Sequence, residues 1–361
     1  MLLVTPSLTG IGGVQASART AWETLSRLST AGQGARLFCY DRGVVRQDRG
    51  AADVVHAQGR LSAVLKAVTM GCRSRGVLVW HLDLLKLVPF FRLRDARVIV
   101  FLHGIEAWRA VDPLTRRILR RVDLFLVNSD FTWQRFVAAN PDSTRAPHVT
   151  VNLGVDEPVR SVVPPPDGAV ALVLSRLDRR EDYKGHHELL SAWLLVLVRI
   201  PVAELWIVGD GDLRADLERM VRERSLAAHV RFFGQVSEEE KKDLLTRARC
   251  LALPSRGEGF GLVYLEAMRL SRPCLVSTLD AGREVVNPPD AGLAADPDNP
   301  RDLAEAISRL LTPGPEWDAW SRQARARYES RFTARHFQER LIAALESLGH
   351  GAVHRPPAPA P

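Results

Sequence analysis

The chain has 361 residues, 46% of them apolar and 25% charged, an ordinary globular balance with material for two buried cores. This excludes a disordered chain, a collagen-like fibre and a disulfide-stapled mini-protein, and no apolar run approaches the roughly 20 residues that span a bilayer. The net charge of +7 is lopsided: residues 1–160 hold 22 Lys and Arg against 13 Asp and Glu (+9), whereas the remainder holds 27 against 29 (−2).

Met1-Leu2-Leu3-Val4-Thr5 has no basic n-region and reaches Pro6 too early for a signal peptide. Cys39, Cys72, Cys250 and Cys274 lie far apart without C-x-x-C spacing, so buried reduced thiols in a cytoplasmic protein are expected. Leu2–Val4, Ala35–Tyr40, Asp53–His56, Gly76–Trp80, Arg97–Leu102, Leu124–Val127 and Val149–Asn152 read as strands. Helical patterns lie between them, such as Gly13–Leu28 with Ala18, Trp22, Leu25 and Leu28 on one stripe. Near-continuous apolar strands alternating with helices predict a parallel, doubly wound sheet.

The pattern breaks at Pro158 to Pro166, read as a stiff linker. It restarts with strands at Val170–Leu174, Glu204–Val208, Val230–Phe233, Cys250–Leu253 and Pro273–Ser277. The intervening helices are His186–Arg199, Leu213–Arg224, Ser237–Arg247 (opened by a Ser237–Glu240 capping box), Leu262–Leu270 and Arg301–Leu311. From Glu316 to Leu348 the chain reads as helical, with Phe332, Phe337, Leu341, Leu345 and Leu348 forming an apolar seam. The expected domains are therefore 1–160, 168–330, a returning helix at 331–348 and a disordered tail at 349–361. Two Rossmann-like domains facing across a cleft, with sites at the C-terminal ends of the strands, is the expected architecture.

The most informative stretch is Pro254-Ser255-Arg256-Gly257-Glu258-Gly259-Phe260-Gly261-Leu262, continuing to Glu266. It follows a strand and opens a helix. The glycines let backbone N–H groups approach a ligand, and the helix N-terminus favours phosphate. Glu258 in the loop and Glu266 about a turn into the helix place one carboxylate for sugar hydroxyls and one for a ribose, with a diphosphate between. A glycine turn before an ordinary amphipathic helix is the bland alternative, and the second glutamate argues against it.

With these residues the chain resembles the group 1 (family 4) retaining glycosyltransferases of GT-B fold, whose hallmark is E-x7-E. The resemblance extends to Gly10-Ile11-Gly12-Gly13-Val14, Phe101-Leu102-His103-Gly104, Val127-Asn128-Ser129, Asn152-Leu153-Gly154-Val155-Asp156 and Val208-Gly209-Asp210-Gly211. It implies an α/β protein of GT-B type that moves a sugar from a nucleotide-diphosphate-sugar to an acceptor hydroxyl with retention. It also implies that Glu258 contacts the donor sugar, Glu266 the ribose, and the amides of Gly259, Phe260, Gly261 and Leu262 the phosphates and sugar. Gly12 and Gly13 would approach the donor phosphates from the other domain, while loops around Gly209, Gly211 and Val236 would read the base. His103 would contact the transferred sugar or orient the acceptor.

Arg176 ends a strand and Lys184 opens the next helix, where fixed cations ease departure of a nucleotide diphosphate. The extra Arg179-Arg180-Glu181-Asp182 between them leaves open whether Arg179 or Arg180 shares that work. His81 is a further candidate, and His56, His186 and His187 read as structural or surface residues. The triplets Asp210-Gly211-Asp212 and Asp296-Pro297-Asp298 are better explained as turns and helix caps than as a metal site, so neither metal nor cofactor is expected beyond the nucleotide-sugar substrate.

The basic first half carries no nucleic-acid recognition motif. It fits a lipid-linked saccharide acceptor, peripheral contact with an anionic membrane, or simply a solvated Arg-rich surface. Two rival readings are a nucleotide-sugar-binding module without catalysis and a nicotinamide-dependent oxidoreductase built on the Gly10–Gly13 turn and Asp41. The second leaves the Glu258–Glu266 segment unexplained.

Overall fold

The structure, a computed structural model, describes residues 1–9, 12–28, 34–40, 54–70, 74, 76–91, 96–159 and 168–349. The chain forms two compact units, residues 1–153 with 334 onward, and residues 154–333.

In the first unit β1 (Leu2–Thr5), α1 (Gly13–Leu28), β2 (Arg36–Tyr40), β3 (Val54–Ala57), α2 (Arg60–Met70) and β4 (Gly76–Val79) follow in order. β5 (Arg97–Leu102), α3 (Pro113–Leu119), β6 (Leu124–Val127), α4 (Asp130–Ala139) and β7 (His148–Thr150) complete its sheet, a parallel one of seven strands ordered β3-β2-β1-β4-β5-β6-β7. β1, β4 and β6 are buried along their whole length, as expected of strands covered on both faces. The order reverses between β1 and β4, which makes their C-terminal ends the switch point where open α/β sheets bind ligands. Trp80, just past β4, donates its indole N–H to Val14 O (3.2 Å), fastening the start of α1 there. The buried face of α1 is Ala18, Ala21 and Leu25, with Ser17 and Thr24; it is rotated from the expected stripe, and Leu28 is exposed.

The second unit runs β8 (Val170–Leu174), α5 (His186–Arg199), β9 (Glu204–Val208), α6 (Arg214–Glu223), β10 (Val230–Gly234), α7 (Glu238–Arg247) and β11 (Cys250–Leu253). It continues with α8 (Leu262–Arg269), β12 (Cys274–Ser277), α9 (Gly282–Val286), β13 (Gly292–Ala295), α10 (Pro300–Leu311) and α11 (Pro315–Arg331). The six strands are parallel in the order β10-β9-β8-β11-β12-β13, with the switch between β8 and β11. The Ser237–Glu240 capping box forms as read, satisfying two N-terminal groups of α7 reciprocally. α9 and β13 were not anticipated, because Gly-Leu-Ala-Ala offers no β-branched signal and α9 is a single short turn.

The helical stretch read from 316 to 348 is two helices, α11 and a returning helix that starts at Ala334, three residues after the expected 331. α11 ends at Phe332, whose ring packs edge-on against Phe260 at 5.9 Å, and Thr333 pairs with Val155. α12 (Ala334–Gly349) then belongs to the first unit, where Phe337 and Leu341 are buried and Phe337 meets Trp80. The expected seam is thus divided, Phe332 serving one core and Phe337 and Leu341 the other. The tail from residue 350, most of the linker and Cys72 lie outside the described residues, while Cys39, Cys250 and Cys274 are buried thiols.

Candidate functional site

Two loops of the second unit are joined backbone to backbone. Asp178 caps the short 3-10 turn Arg179–Lys184 by accepting from Arg180 N, and Gly185 ends it in the left-handed region at φ +87°. A Cβ on Gly185 would lie 2.5 Å from Pro254 O, so only glycine permits this approach. Arg256 N and Ser255 Oγ both donate to Tyr183 O, at 2.8 and 3.2 Å, and Gly257 lies flat against the Tyr183 ring. This junction delivers Lys184 Nζ to Glu258 Oε2 at 2.6 Å, with side chains only 14% and 16% exposed. Burial alone would lower the Lys184 pKa; the Glu258 carboxylate outweighs it, and the ammonium is held above its ordinary value.

Beneath the pair lies Asp280, a buried carboxyl that sequence reading missed. Asp280 Oδ2 accepts from Glu258 N (3.1 Å), Oδ1 accepts from Gly282 N (2.9 Å), and Ala281 N donates to Glu258 O (3.1 Å). Burial, then the Glu258 charge, push the Asp280 pKa up to about 8. Glu258 is therefore fixed at its own backbone as well as through its side chain. Further anchoring comes from Arg256, which bonds Glu188 and, through two nitrogens, Asp298 at 2.7 and 2.9 Å.

The Phe260 side chain is buried against Phe332, so only its backbone faces the loop. Gly259 and Gly261 are buried, and Gly261 N-caps α8 in the left-handed region, with Leu262 as first residue of the helix. Glu266 lies one turn further, its Oε2 buried without a hydrogen-bond partner, and Lys241 of α7 stands 3.1 Å from it. Burial raises the Glu266 pKa and Lys241 opposes the rise.

Arg176 follows β8, is 60% exposed and pairs with Glu181. Arg179 pairs with Asp216. Gly209 and Gly211 pass against the Ser175 and Leu177 carbonyls, where any Cβ would collide, and Val236 is half-buried between β10 and α7. The expected helix-capping role of Asp210 and Asp212 is not seen: α6 starts at Arg214 behind Leu213, which provides no side-chain cap, Asp212 accepts from Arg179 N, and Asp210 accepts from Gly211 N. Asp298 is held by Arg256, and no cluster suited to a metal ion exists among the described residues.

In the first unit His103 follows β5 and is buried. Its Nε2 lies 2.7 Å from Trp80 O, its ring stacks on Phe101, and burial, with His81 adding to it, lowers its pKa to about 3. The carbonyl partner fixes a neutral ring with the proton on Nε2, leaving Nδ1 as an acceptor. Asn128 Nδ2 donates to His103 O and Asn152 Nδ2 to Asn128 O (2.9 Å), tying together the ends of β5, β6 and β7. Glu106 Oε1 accepts from His103 N and Gly104 N at 2.6 and 3.1 Å. Gly12 precedes α1 and Gly13 is its first residue; Gly10, Ile11 and Asp41, on which the dinucleotide alternative rests, lie outside the described residues. No described helix is long and apolar enough to cross a membrane.

Residues 157–327 match the family described as glycosyl transferases group 1. The matched segment is just under half of the chain and resembles the group 1 glycosyl transferases. It is 33% identical to the O-antigen chain mannosyltransferase C of Escherichia coli over 46% of this chain and 44% of that one, so the match spans under half of that relative. A GDP-mannose-dependent monoacylated alpha-(1-6)-phosphatidylinositol monomannoside mannosyltransferase of Corynebacterium glutamicum is 27% identical over 70% of each chain. Among solved structures, Anabaena HepE in complex with UDP superposes with a TM-score of 0.76 at 18% identity, covering 96% of this chain and 99% of that one. The fold is GT-B, built of two Rossmann-like parallel-sheet units.

Within the matched segment, sequence reading singled out Lys184 and Glu258 separately and did not foresee their pairing, and it missed Asp280 and Lys241. Asp280 had no visible signal, standing 22 residues from Glu258. Lys241 did have one, since the capping box places α7, yet nothing in the sequence states that α7 packs against α8 at Glu266.

Proposed function

We propose that the protein transfers a sugar from a nucleotide-diphosphate-sugar to an acceptor hydroxyl with retention of anomeric configuration and without a metal. The observation that carries this reading is the buried Lys184–Glu258 pair at the head of the E-x7-E segment, eight residues before a second carboxylate, Glu266, that is paired with Lys241. Glu258 binds sugar hydroxyls, Glu266 the ribose, and the amides of Gly259 to Leu262 the diphosphate. Lys184 and Arg176 supply the positive charge that a metal would otherwise provide. The bond from the sugar's anomeric carbon to the diphosphate oxygen breaks; the acceptor oxygen bonds that carbon on the same face and passes its proton to the departing phosphate. His103, neutral and open at Nδ1, accepts a hydrogen bond from a sugar or acceptor hydroxyl.

The activity for which the Corynebacterium relative is named and the basic first half both favour a saccharide or lipid-linked saccharide acceptor, reached by a protein working from the cytoplasm at an anionic membrane face. The test is a panel of UDP-, GDP-, ADP- and TDP-sugars scored for nucleotide release with and without chelator, with the product anomer read by NMR. Release from one donor class, insensitive to chelator and giving the donor's own anomer, is expected. An inverted product, or turnover abolished by chelator, overturns the reading.

A further inference from the structure

The second carboxylate of E-x7-E has a neighbour that the spacing does not foresee. Lys241 Nζ stands 3.1 Å from Glu266 Oε2 and 2.7 Å from Glu238 Oε2. Lys241 and Glu266 are 19% and 26% exposed, whereas Glu238 is 83% exposed, so solvent screens the Glu238 contact and the ammonium acts mainly on Glu266. The contact is an ion pair made by the buried Oε2 of Glu266. Other charges around Glu266 are unhelpful: Glu238 and Asp156 add negative potential, and Arg269 on the same helix is engaged by Asp156 and Glu157 O. Lys241 is thus the cation that faces Glu266 among the described residues.

A carboxylate that is to receive sugar hydroxyls must be ionised and aimed, since a protonated one presents a donor where an acceptor is required. We propose that Lys241 is a positioning residue of the nucleotide site, holding Glu266 ionised through its buried Oε2 and oriented so that the other carboxylate oxygen, Oε1, takes the ribose hydroxyls of a nucleoside diphosphate. This rests on the reading of Glu266 given above. Lys241 touches neither the transferred sugar nor the diphosphate, so its influence falls on nucleotide affinity and donor KM rather than on kcat. It also falls on ribose more than on deoxyribose.

The experiment is calorimetric binding of UDP, GDP and their 2′-deoxy counterparts to wild type, Lys241→Met, Lys241→Gln, Lys241→Arg and Lys242→Met. Lys242 is the exposed neighbour on the same helix and controls for loss of one charge. For the ribonucleotide that wild type binds, Lys241→Met and Lys241→Gln weaken affinity about tenfold, the scale of one charge-assisted hydrogen bond. The 2′-deoxy ligand loses less, Lys241→Arg recovers most of the affinity, and Lys242→Met matches wild type. The deficit of Lys241→Met deepens as pH falls from 8 to 5, because an unaided Glu266 takes up its proton more readily. The two neutral variants are checked by thermal unfolding, and either one that folds carries the test. Unchanged or tighter binding by both, or equal losses for ribose and deoxyribose, overturns the assignment of Lys241 alone. A folded wild type that binds no nucleoside diphosphate overturns the nucleotide site and this inference with it.

Discussion

Lys184→Met separates the structural worth of the Lys184–Glu258 pair from its proposed chemical worth. Methionine fills the volume of the lysine stem, so what is removed is the charge. Glu258 is then left mostly buried without its counter-ion, and with the Asp280 carboxyl bonded to its amide. Breaking a buried ion pair costs about 3–5 kcal/mol, and the residual exposure of both groups brings this to about 2 kcal/mol. Spread over a unit of residues 154–333, that loss lowers Tm by about 4–8 °C. The chemical loss is separate: removing a fixed cation from developing diphosphate charge costs about 10²–10³ in kcat. The double variant Lys184→Met/Glu258→Gln removes the stranded charge, so it recovers most of the Tm while remaining inactive. Thermal unfolding and nucleotide release measured on the four proteins of the cycle decide the matter. A folded Lys184→Met with kcat within about tenfold of wild type, or a double variant whose Tm losses simply add, refutes the reasoning.

Arg176→Ala lowers kcat about 10²-fold, because this exposed guanidinium is restrained only by neighbouring Glu181, whereas Arg179→Ala costs less than about threefold since Asp216 holds that side chain away; equal losses in nucleotide release would assign the role to both. For Asp280, a folded pKa of about 8 against an ordinary carboxylate value means that the native state binds the extra proton, so stability falls as pH rises from about 4 to 8. Asp280→Asn flattens that slope in chemical denaturation, and an unchanged slope counts against the assignment. His103 has its pKa lowered to about 3, so the unfolded chain binds the extra proton below about pH 6.5 and stability declines as pH falls from there. His103→Gln reduces this acid sensitivity, as measured by Tm between pH 4 and 7, and the wild-type kcat profile shows no inflection from His103 between pH 5 and 8.

The parallel doubly wound architecture was legible because strands such as Leu124–Val127 and Cys250–Leu253 are apolar without interruption and each meets a turn residue. The Glu258–Glu266 spacing and the cations at 176 and 184 were legible for the same local reason: chemistry-bearing residues at fixed offsets around a strand–turn–helix joint. The division of the apolar seam at Phe332 was not, because it depends on the packing of that ring on Phe260, some seventy residues earlier. Asp280 was illegible likewise: a single aspartate after a strand is indistinguishable from a turn residue until its two amide partners are seen. His103 was legible as a residue at a strand end, but nothing in its neighbours along the chain hints that Trp80 O fixes which nitrogen holds its proton.

The welding of the Tyr183–Gly185 turn to the Pro254–Gly257 stretch bears on how the proposed transferase site can be re-engineered. A chimaera that imports a new donor loop around Glu258 while keeping the native turn at Lys184 inherits mismatched halves of one joint. A flanking side chain in place of Gly257 or Gly185 would wedge it open. Grafts intended to alter sugar preference should therefore exchange both segments as a cassette, although 74 positions separate the lysine from the glutamate along the chain.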